Sequence, residues 1–287
     1  MANEVTTTIA TELVATEIIE RIIYDAAYDF GTIAPLVRTV NIENEQTNTV
    51  EFPKWPLITA TDLTEGTDMA NSALNPTSVT CAADEAGLMI TLTDMLVNSD
   101  IIGGLQPYAE LLGRAVGTKR DLDLAAEFAD FTTSVGSTGV NLSELNFLEA
   151  IYNLENGVAA MDIAAVLHPI QAHDLRSDIV TSAGAIWGAK AGGPESVVRR
   201  RMAVFYDVPT FSSTQCASVA ADADRQGAMF PVGEACGIVY VQKRPVYVEP
   251  DRKPSLRGTA LVCVEVYGDE CANTAANGGV KIVTDHE

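Results

Sequence analysis

Residues 98–131, NSDIIGGLQPYAELLGRAVGTKRDLDLAAEFADF, decide the fold. Tyr108, Leu111, Leu112, Ala115, Leu122, Ala126 and Ala129 recur at three- and four-residue steps, which predicts one buried face of a long helix. Pro107 suits the first turn, where a missing N–H is no loss. From Pro107 to Phe131 the helix would run about 37 Å at ~1.5 Å per residue, well beyond the usual ~11–12 residues. Gly113 and Gly117 each weaken it by about 1 kcal/mol relative to Ala, so something outside the helix must hold it straight. Asp121, Asp123, Glu127 and Asp130 spread around it and read as a solvated face. Strand-rich segments lie on both sides. The helix is therefore expected to act as a beam between sheets.

Upstream, residues 1–30 begin polar and become helical, with Leu13, Ile18, Ile19, Ile22, Ile23 and Ala26 as the stripe of a short docking helix. The preceding TTTIATELV is β-prone and has little to fold onto by itself, as an extended arm would. Two apolar runs, 36–42 and 48–52, flank a polar turn cluster and predict a β-hairpin. Pro53 and Pro56 confine the KWPL segment to an edge or an irregular extended piece. Residues 59–80 lack apolar anchors, and 86–94 return as an alternating strand. The whole reads as a two-stranded excursion that leaves near residue 45 and returns near residue 92. Alone such a ribbon is marginal and has unpaired edges, so it is expected to lie against another subunit.

Downstream, residues 134–141 form a turn, and 142–157 a helix capped by Ser143 and stopped by Gly157. Leu145, Leu148, Ile151, Tyr152 and Leu154 are its expected apolar contacts. AAMDIAAVLHP reads as a buried strand and PIQAHDLRSDIV as a second helix, a small sheet flanked by helices. Residues 181–202 are Gly- and Ala-rich and read as a long contact loop. Residues 203–215 read as strand, turn at Asp207–Pro209, strand. From Val246 to Val283 the alternation predicts the strands of a terminal sheet.

The chain has 287 residues, 47% of them hydrophobic, ample for a buried core. Its 39 acidic and 18 basic residues give a net charge of -21, which argues against a surface that grips nucleic acid. The five cysteines are widely spaced with no CxxC pair, so reduced thiols packed as small apolar groups are expected. No signal peptide and no membrane-spanning run is evident, and the protein is expected in the cytoplasm. Neither a dinucleotide fingerprint, a phosphate loop nor a nucleophile elbow is present. His168 and His173 are five residues apart across Pro169 and should diverge. Arg199, Arg200 and Arg201, the only basic run, read as an inter-subunit salt-bridge patch. Trp55 and Trp187 sit in loops without a local core, as interface anchors do. The sequence describes a protein that makes contacts.

The order of these parts resembles the major capsid proteins of tailed bacteriophages, the Hong Kong 97-type fold. TTTIATELV matches that family's N-terminal arm, TNTVEFPKWPLITATDLTEG…LMITLTDMLV its long E-loop hairpin, and PYAELLGRAVGTKRDLDLAAEFADF its spine helix. LSELNFLEAIYNL followed by AAVLHPIQAHDLR is similar to the family's helix, strand and N/H-P turn into a helix. VFYDVPTFSSTQ resembles its G-x-P-V-x-S strand, with Asp207 where glycine is commoner. GIVYVQKRPVYVEPDRKPSLRGTALVCVEVYGDECANTAANGGVKIV resembles its closing strands.

The resemblance implies an α+β chain: arm and docking helix at 1–40, E-loop at 41–97, P-domain with the spine at 98–158, A-domain at 159–242 and returning P-domain strands at 243–287. It implies no enzymatic activity and no cofactor. It also implies pentamers and hexamers of the chain closing into an icosahedral shell around the genome of a tailed phage. Such a protein is made in the host cytoplasm and resides in the virion, enclosing DNA without binding it specifically. A portal, and scaffolding or decoration proteins, are the implied partners. Lys54 is the one lysine of the E-loop segment, but no cross-link acceptor can be placed. The E-loop acids Asp62, Glu65 and Asp68 are expected to meet a neighbour's Lys119, Arg120, Arg252 and Lys253, each pair worth only ~0–1 kcal/mol and so setting register more than strength. Two other readings stand beside this one: an encapsulin-like nanocompartment shell, and a cytoplasmic α+β enzyme built around His168 and His173.

Overall fold

The long helix forms, but it buries a different face from the one its apolar residues suggest. In the computed structural model, described for residues 21–27, 31–54, 58, 60, 62, 65–66, 68, 73–95, 106–157, 162–182, 205–217 and 224–284, helix α1 spans Gln106–Ala126 and tightens into a 3-10 turn at Glu127–Asp130. Leu111 and Leu122 are 58% and 44% exposed, and Ala115, Ala126 and Ala129 are exposed too. Of the expected stripe Leu112 is buried and Tyr108 half-buried, and the buried face runs on through Ala109, Gly113, Val116, Gly117, Arg120, Asp121, Leu124, Ala125 and Phe128. Two glycines, an arginine and an aspartate sit on it, and none of these scores as core in an apolar pattern. Of the acids expected on a solvated face, Asp121 is drawn in fully and Asp123 and Glu127 in part, while Asp130 stays exposed.

Eleven strands fall into three sheets among the described residues. The first has the order β1 (Arg38–Asn41), β9 (Ile238–Lys253), β10 (Gly258–Cys271), β4 (Asp84–Thr93). The second has the order β5 (Ser134–Val135), β11 (Val280–Thr284), β8 (Arg225–Pro231), β6 (Ile163–Leu167), β7 (Thr210–Ser212). The third is a two-stranded ribbon of β2 (Thr49–Lys54) and β3 (Thr77–Ala82). Runs 36–42 and 48–52 are therefore not partners: β1 pairs in parallel with β9, and β2 pairs with β3, Thr49 opposite Ala82. The two-stranded excursion itself is present, with Pro53 in the ribbon opposite Ser78. Its returning strand runs straight on into β4, which pairs along β10 from Gly258 opposite Thr93 to Tyr267 opposite Asp84. The closing strands are also divided. β9 and β10 belong to the first sheet, while β11 joins β8 in the second instead of extending a single terminal sheet.

Two further helices flank the second sheet, α2 (Glu144–Gly157) and α3 (Pro169–Ser182). Ser143 caps α2 as expected, its Oγ accepting from Asn146 N at 3.3 Å. The inward face of α2 is Phe147, Ala150 and Leu154, with Ile151 half-buried, packed with Leu167, Leu175, Met229 and Ile282. Leu145, Leu148 and Tyr152, expected as contacts, are 76%, 36% and 64% exposed and line its outer side. Between β6 and α3, His168 starts the helix: its carbonyl accepts from Ala172 N, and Pro169 takes the first helical position.

The beam expectation holds in the packing. Ala109, Leu112 and Val116 of α1 pack with Ile23, Ala27, Leu92, Val246, Val248 and Leu261 on one side of the first sheet. Further along, Leu124, Ala125, Phe128 and Phe131 join Tyr240 and Tyr267 of the first sheet to Phe230 of the second, Phe128 and Phe230 having centroids 5.9 Å apart. One helix thus ties two sheets into a continuous core.

Candidate functional site

Three polar constellations stand out, two of them on α1. The first fastens the chain that precedes β1. Asp121 accepts from Thr32 N at 2.8 Å and Ile33 N at 3.2 Å, while Arg120 donates to Ala27 O at 2.9 Å and pairs with Glu265 at 3.2 Å. Tyr240 donates to the same Glu265 oxygen at 2.9 Å. Burial pushes the Glu265 carboxyl up, against the pull of Arg120 and Tyr240. For Arg120, burial works against its charge, and Glu265, Tyr240 and Asp121 together more than restore it. Arg120 is only 8% exposed, so the expectation that it meets a neighbouring subunit is corrected: its guanidinium is taken up inside its own chain.

The second constellation is the turn joining β9 to β10. Pro254–Leu256 form a 3-10 turn ended by Arg257 in the left-handed region, φ 45. Arg252 makes a two-pronged pair with Asp94, Nη1 to Oδ1 at 2.5 Å and Nη2 to Oδ2 at 2.7 Å, and this hydrogen bonding holds the Asp94 carboxyl below its ordinary value. Lys253 Nζ lies 3.7 Å from Met89 Sδ. Met89, Met95 and Leu256 are 55%, 83% and 57% exposed beside these cations. The turn is thus cationic and apolar at once, on a chain of net charge -21.

The third lies where the C-terminal end of α1 meets β10. Lys119 pairs with Asp123 at 2.5 Å, and Tyr267 donates to Asp123 at 2.6 Å. Burial first, then Asp269, Asp130 and Glu270, push the Glu127 carboxyl up to about 7, while burial and Asp123 push Asp269 up to about 6.

Asp62, Glu65 and Asp68 are exposed in the segment beyond the ribbon, and Lys119, Arg252 and Lys253 lie at least partly at the surface with partners in their own chain. Trp55, Trp187, Arg199, Arg200, Arg201 and the arm TTTIATELV lie outside the described residues. His168 and His173 diverge. The His168 ring accepts from Ile170 N at 3.2 Å, and burial pushes its pKa down; the His173 ring faces outward beside Asp174 at 3.3 Å. Two cavities border these groups. One of about 170 Å³, lined by Tyr24, Gly31, Arg120, Tyr240 and Glu265, is below the ~300 Å³ at which ligand pockets begin. The other, an open groove of about 560 Å³, carries Glu43, Glu85, Lys243 and Arg244. Its cations are engaged, Lys243 with Glu45 O and Thr47 O and Arg244 over the Tyr247 ring. Among the described residues no three potential ligands form a metal cluster, and no helix is long and apolar enough to cross a membrane.

All five cysteines are buried, and burial pushes each thiol up, to about 12 at Cys81 and Cys216. They pack as apolar groups, as the sequence suggested.

No protein-family model matches the chain, and no curated protein does. Solved structures do. A chain from Mycobacterium phage Che8 superposes with a TM-score of 0.68 over 88% of this chain and 90% of its own, at 19% identity. One from the head structure of Helicobacter pylori bacteriophage KHP40 gives 0.69 over 91% of both chains, at 11% identity. The chain has the major capsid protein fold of tailed phages. The capsid fold extends beyond phages: a virus-like particle from Pyrococcus furiosus matches with a TM-score of 0.62 over 93% of this chain and 99% of that one, at 9% identity. At these identities the likeness lies in backbone architecture, and side chains must be argued from this molecule alone.

Proposed function

We propose that the protein is a major capsid protein, whose copies assemble as pentamers and hexamers into an icosahedral shell around the DNA of a tailed phage. The observation that carries this reading is the agreement of the whole fold, over about nine-tenths of both chains, with phage head structures. In this reading residues 1–40 are the arm and docking helix, β2–β3 and the segment between them the E-loop, and α1 the spine. β10 and most of β9 then belong to the P-domain and β6, β7 and β8 to the A-domain, with β5 and β11 from P-domain segments completing the second sheet. A ribbon that no third described strand joins and a helix with Leu145, Leu148 and Tyr152 outward are features a subunit covers with its neighbours. The acidic net charge keeps an inner wall from gripping packaged DNA. A portal, and scaffolding or decoration proteins, complete the set of partners. No enzymatic step is assigned.

Subunit contacts are proposed to join the exposed acids Asp62, Glu65 and Asp68 to the β9–β10 turn of a neighbour, with Arg252 and Lys253 receiving them and Lys119 at the side. Trp55, Trp187 and the Arg199–Arg201 run are proposed as further contacts. Purified protein examined by negative-stain electron microscopy should show capsomers or closed shells of megadalton mass. A monodisperse monomer under all assembly conditions would overturn the proposal. The likeness to the Pyrococcus furiosus particle favours a second reading, an encapsulin-like compartment. The contents of shells recovered from cells decide between them, nuclease-protected DNA for a phage head and a packaged protein for a compartment.

A further inference from the structure

We propose that the root of the β2–β3 ribbon is a proton-controlled joint, in which Glu127 and Asp269 loosen the seat of β3 when ionised and tighten it when protonated. The inference goes beyond the capsid reading and holds for the subunit whether or not shells form.

The geometry is a carboxylate cluster under a strand that leaves the core. β3 ends on β10 at Gly268, where a Cβ would meet the carbonyl carbon of Ala82 at 2.8 Å and Cys81 Sγ at 3.1 Å. The next two residues of β10, Asp269 and Glu270, lie beside the 3-10 turn that holds Glu127 and Asp130. Cys271 N donates to the Glu127 carboxylate, whose Oε2 is buried with no protein partner. Among the described residues, the charged and titratable groups around it are these. Lys119 and Asp123 come from α1, and Asp130 from the turn itself. Tyr267, Asp269, Glu270 and Cys271 come from β10, with Cys236 behind Cys271, and Cys81 comes from β3. From β11, Lys281 reaches the turn but donates to Ala129 O at 3.0 Å. Lys119 is already held by Asp123. Five carboxylates thus crowd one junction, and its two ammonium groups are committed to Asp123 and to a carbonyl. The β3 thiol feels the same field, since Asp269, Glu270 and Glu127 add to burial in raising Cys81.

An ionised Glu127 here is half-desolvated, has one oxygen unsatisfied and faces like charges. Opening the root of the ribbon would hydrate it and relieve all three. Protonation removes the repulsion without opening. Because the folded carboxyls titrate above their ordinary values, the closed joint binds protons that an open one releases. Closure is therefore fully favoured in acid and weakened as pH rises through about 6 at Asp269 and about 7 at Glu127.

Hydrogen–deuterium exchange on the full-length protein tests this, with rates corrected for intrinsic exchange and assembly state matched by light scattering. Each pKa unit between closed and open joint is a tenfold factor, so amides of 77–82 and 267–271 should be protected roughly tenfold or more better near about pH 5.5 than near about pH 8. Amides of β6, remote from the joint, serve as the control. Glu127→Gln should keep the strong protection at both values. Wild-type protection that is flat, or that falls on acidification, overturns the proposal without reference to any variant. So does a Glu127→Gln protein that keeps the full pH dependence. Neither outcome bears on shell formation, which microscopy tests separately.

Discussion

Gly117 of α1 lies directly against the backbone of Ala27, so that a Cβ added at Gly117 would come within 2.7 Å of the Ala27 carbonyl oxygen. One turn earlier, Gly113 meets Ile23 in the same way, with Ala26 Cβ 2.8 Å from the added atom. The two glycines that weaken the helix as a local element are therefore the seat of helical residues 21–27. Packing sets the outcome here, against propensity.

Two opposed magnitudes make this testable. Replacing a helical Gly by Ala gains about 1 kcal/mol in propensity, whereas forcing a methyl into a packed backbone contact costs typically ~1–3 kcal/mol. The atoms met at Gly117 belong to the Ala27 backbone, which cannot swing aside as a side chain can. Gly117→Ala should therefore lower the denaturation midpoint, and Gly117→Val should lower it further and speed amide exchange in residues 21–27. A Gly117→Ala protein more stable than wild type would show that propensity wins and the seat is loose.

Arg120 and Glu265 form the one ion pair among the described residues in which both side chains are buried, 9% and 0% exposed. Removing one partner leaves a buried charge, at a cost of about 3–5 kcal/mol, whereas an apolar pair of similar volume is often neutral. Arg120→Leu should thus be strongly destabilising and should release residues 21–27 by loss of the Ala27 bond. Arg120→Leu with Glu265→Leu should recover much of the loss in a urea titration. A double variant no better than Arg120→Leu would place the energy in the Ala27 and Tyr240 contacts instead.

These two arrangements explain what was legible in the sequence and what was not. The order of elements could be read because each carries its own signal: the alternation of β4, Ser143 before α2, Pro169 after His168. The turn in VFYDVPTFSS was legible too, and Asp207 does adopt φ 63, where glycine is commoner. The buried face of α1 was not. Its partner is backbone, which selects Gly and Ala, and a polar latch, which selects Arg120 and Asp121, so the apolar count favoured the outer side. Strand pairing failed for a related reason. Runs 36–42 and 48–52 are adjacent in sequence, yet β1 is claimed by β9, some two hundred residues later, and no local pattern encodes so distant a partner. The proposed contact surfaces rest on exposed acids and loop aromatics alone, since a residue's partner in another chain leaves no periodicity.

Charge reversal tests the proposed subunit contact. Asp62, Glu65 and Asp68 lie exposed, so changing them to Lys should alter the subunit's unfolding free energy by no more than about 0.5 kcal/mol per site. Shell yield should nevertheless fall, more at low salt than at high. Arg252 is already paired with Asp94 on its own subunit, so each inter-subunit pair adds little by itself and the effect must come from the cluster. Arg252→Glu with Lys253→Glu in the lysine-substituted background should restore assembly in part. Normal shells from the triple lysine variant would remove these acids from the interface.

The pH dependence of overall stability is set by opposed groups. Glu127 and Asp269 have folded pKa values raised to about 7 and about 6 from 4.5 and 3.8, so their contribution is full in acid and declines as pH rises through those values. His168 acts in the other direction: burial pushes its pKa down, so the fold loses stability as pH falls and the unfolded chain takes up the proton first. The two raised carboxyls outnumber the single depressed imidazole, whose ring is only half-buried at the start of α3. The thermal midpoint of the unassembled subunit should therefore decline from pH 5 to pH 8, the window spanned by these groups. Glu127→Gln should flatten the decline, and His168→Gln should steepen it slightly by removing the opposing term. A midpoint that rises across this window in wild type would mean that the carboxylate cluster is solvated in solution and that Glu127 titrates near its ordinary value.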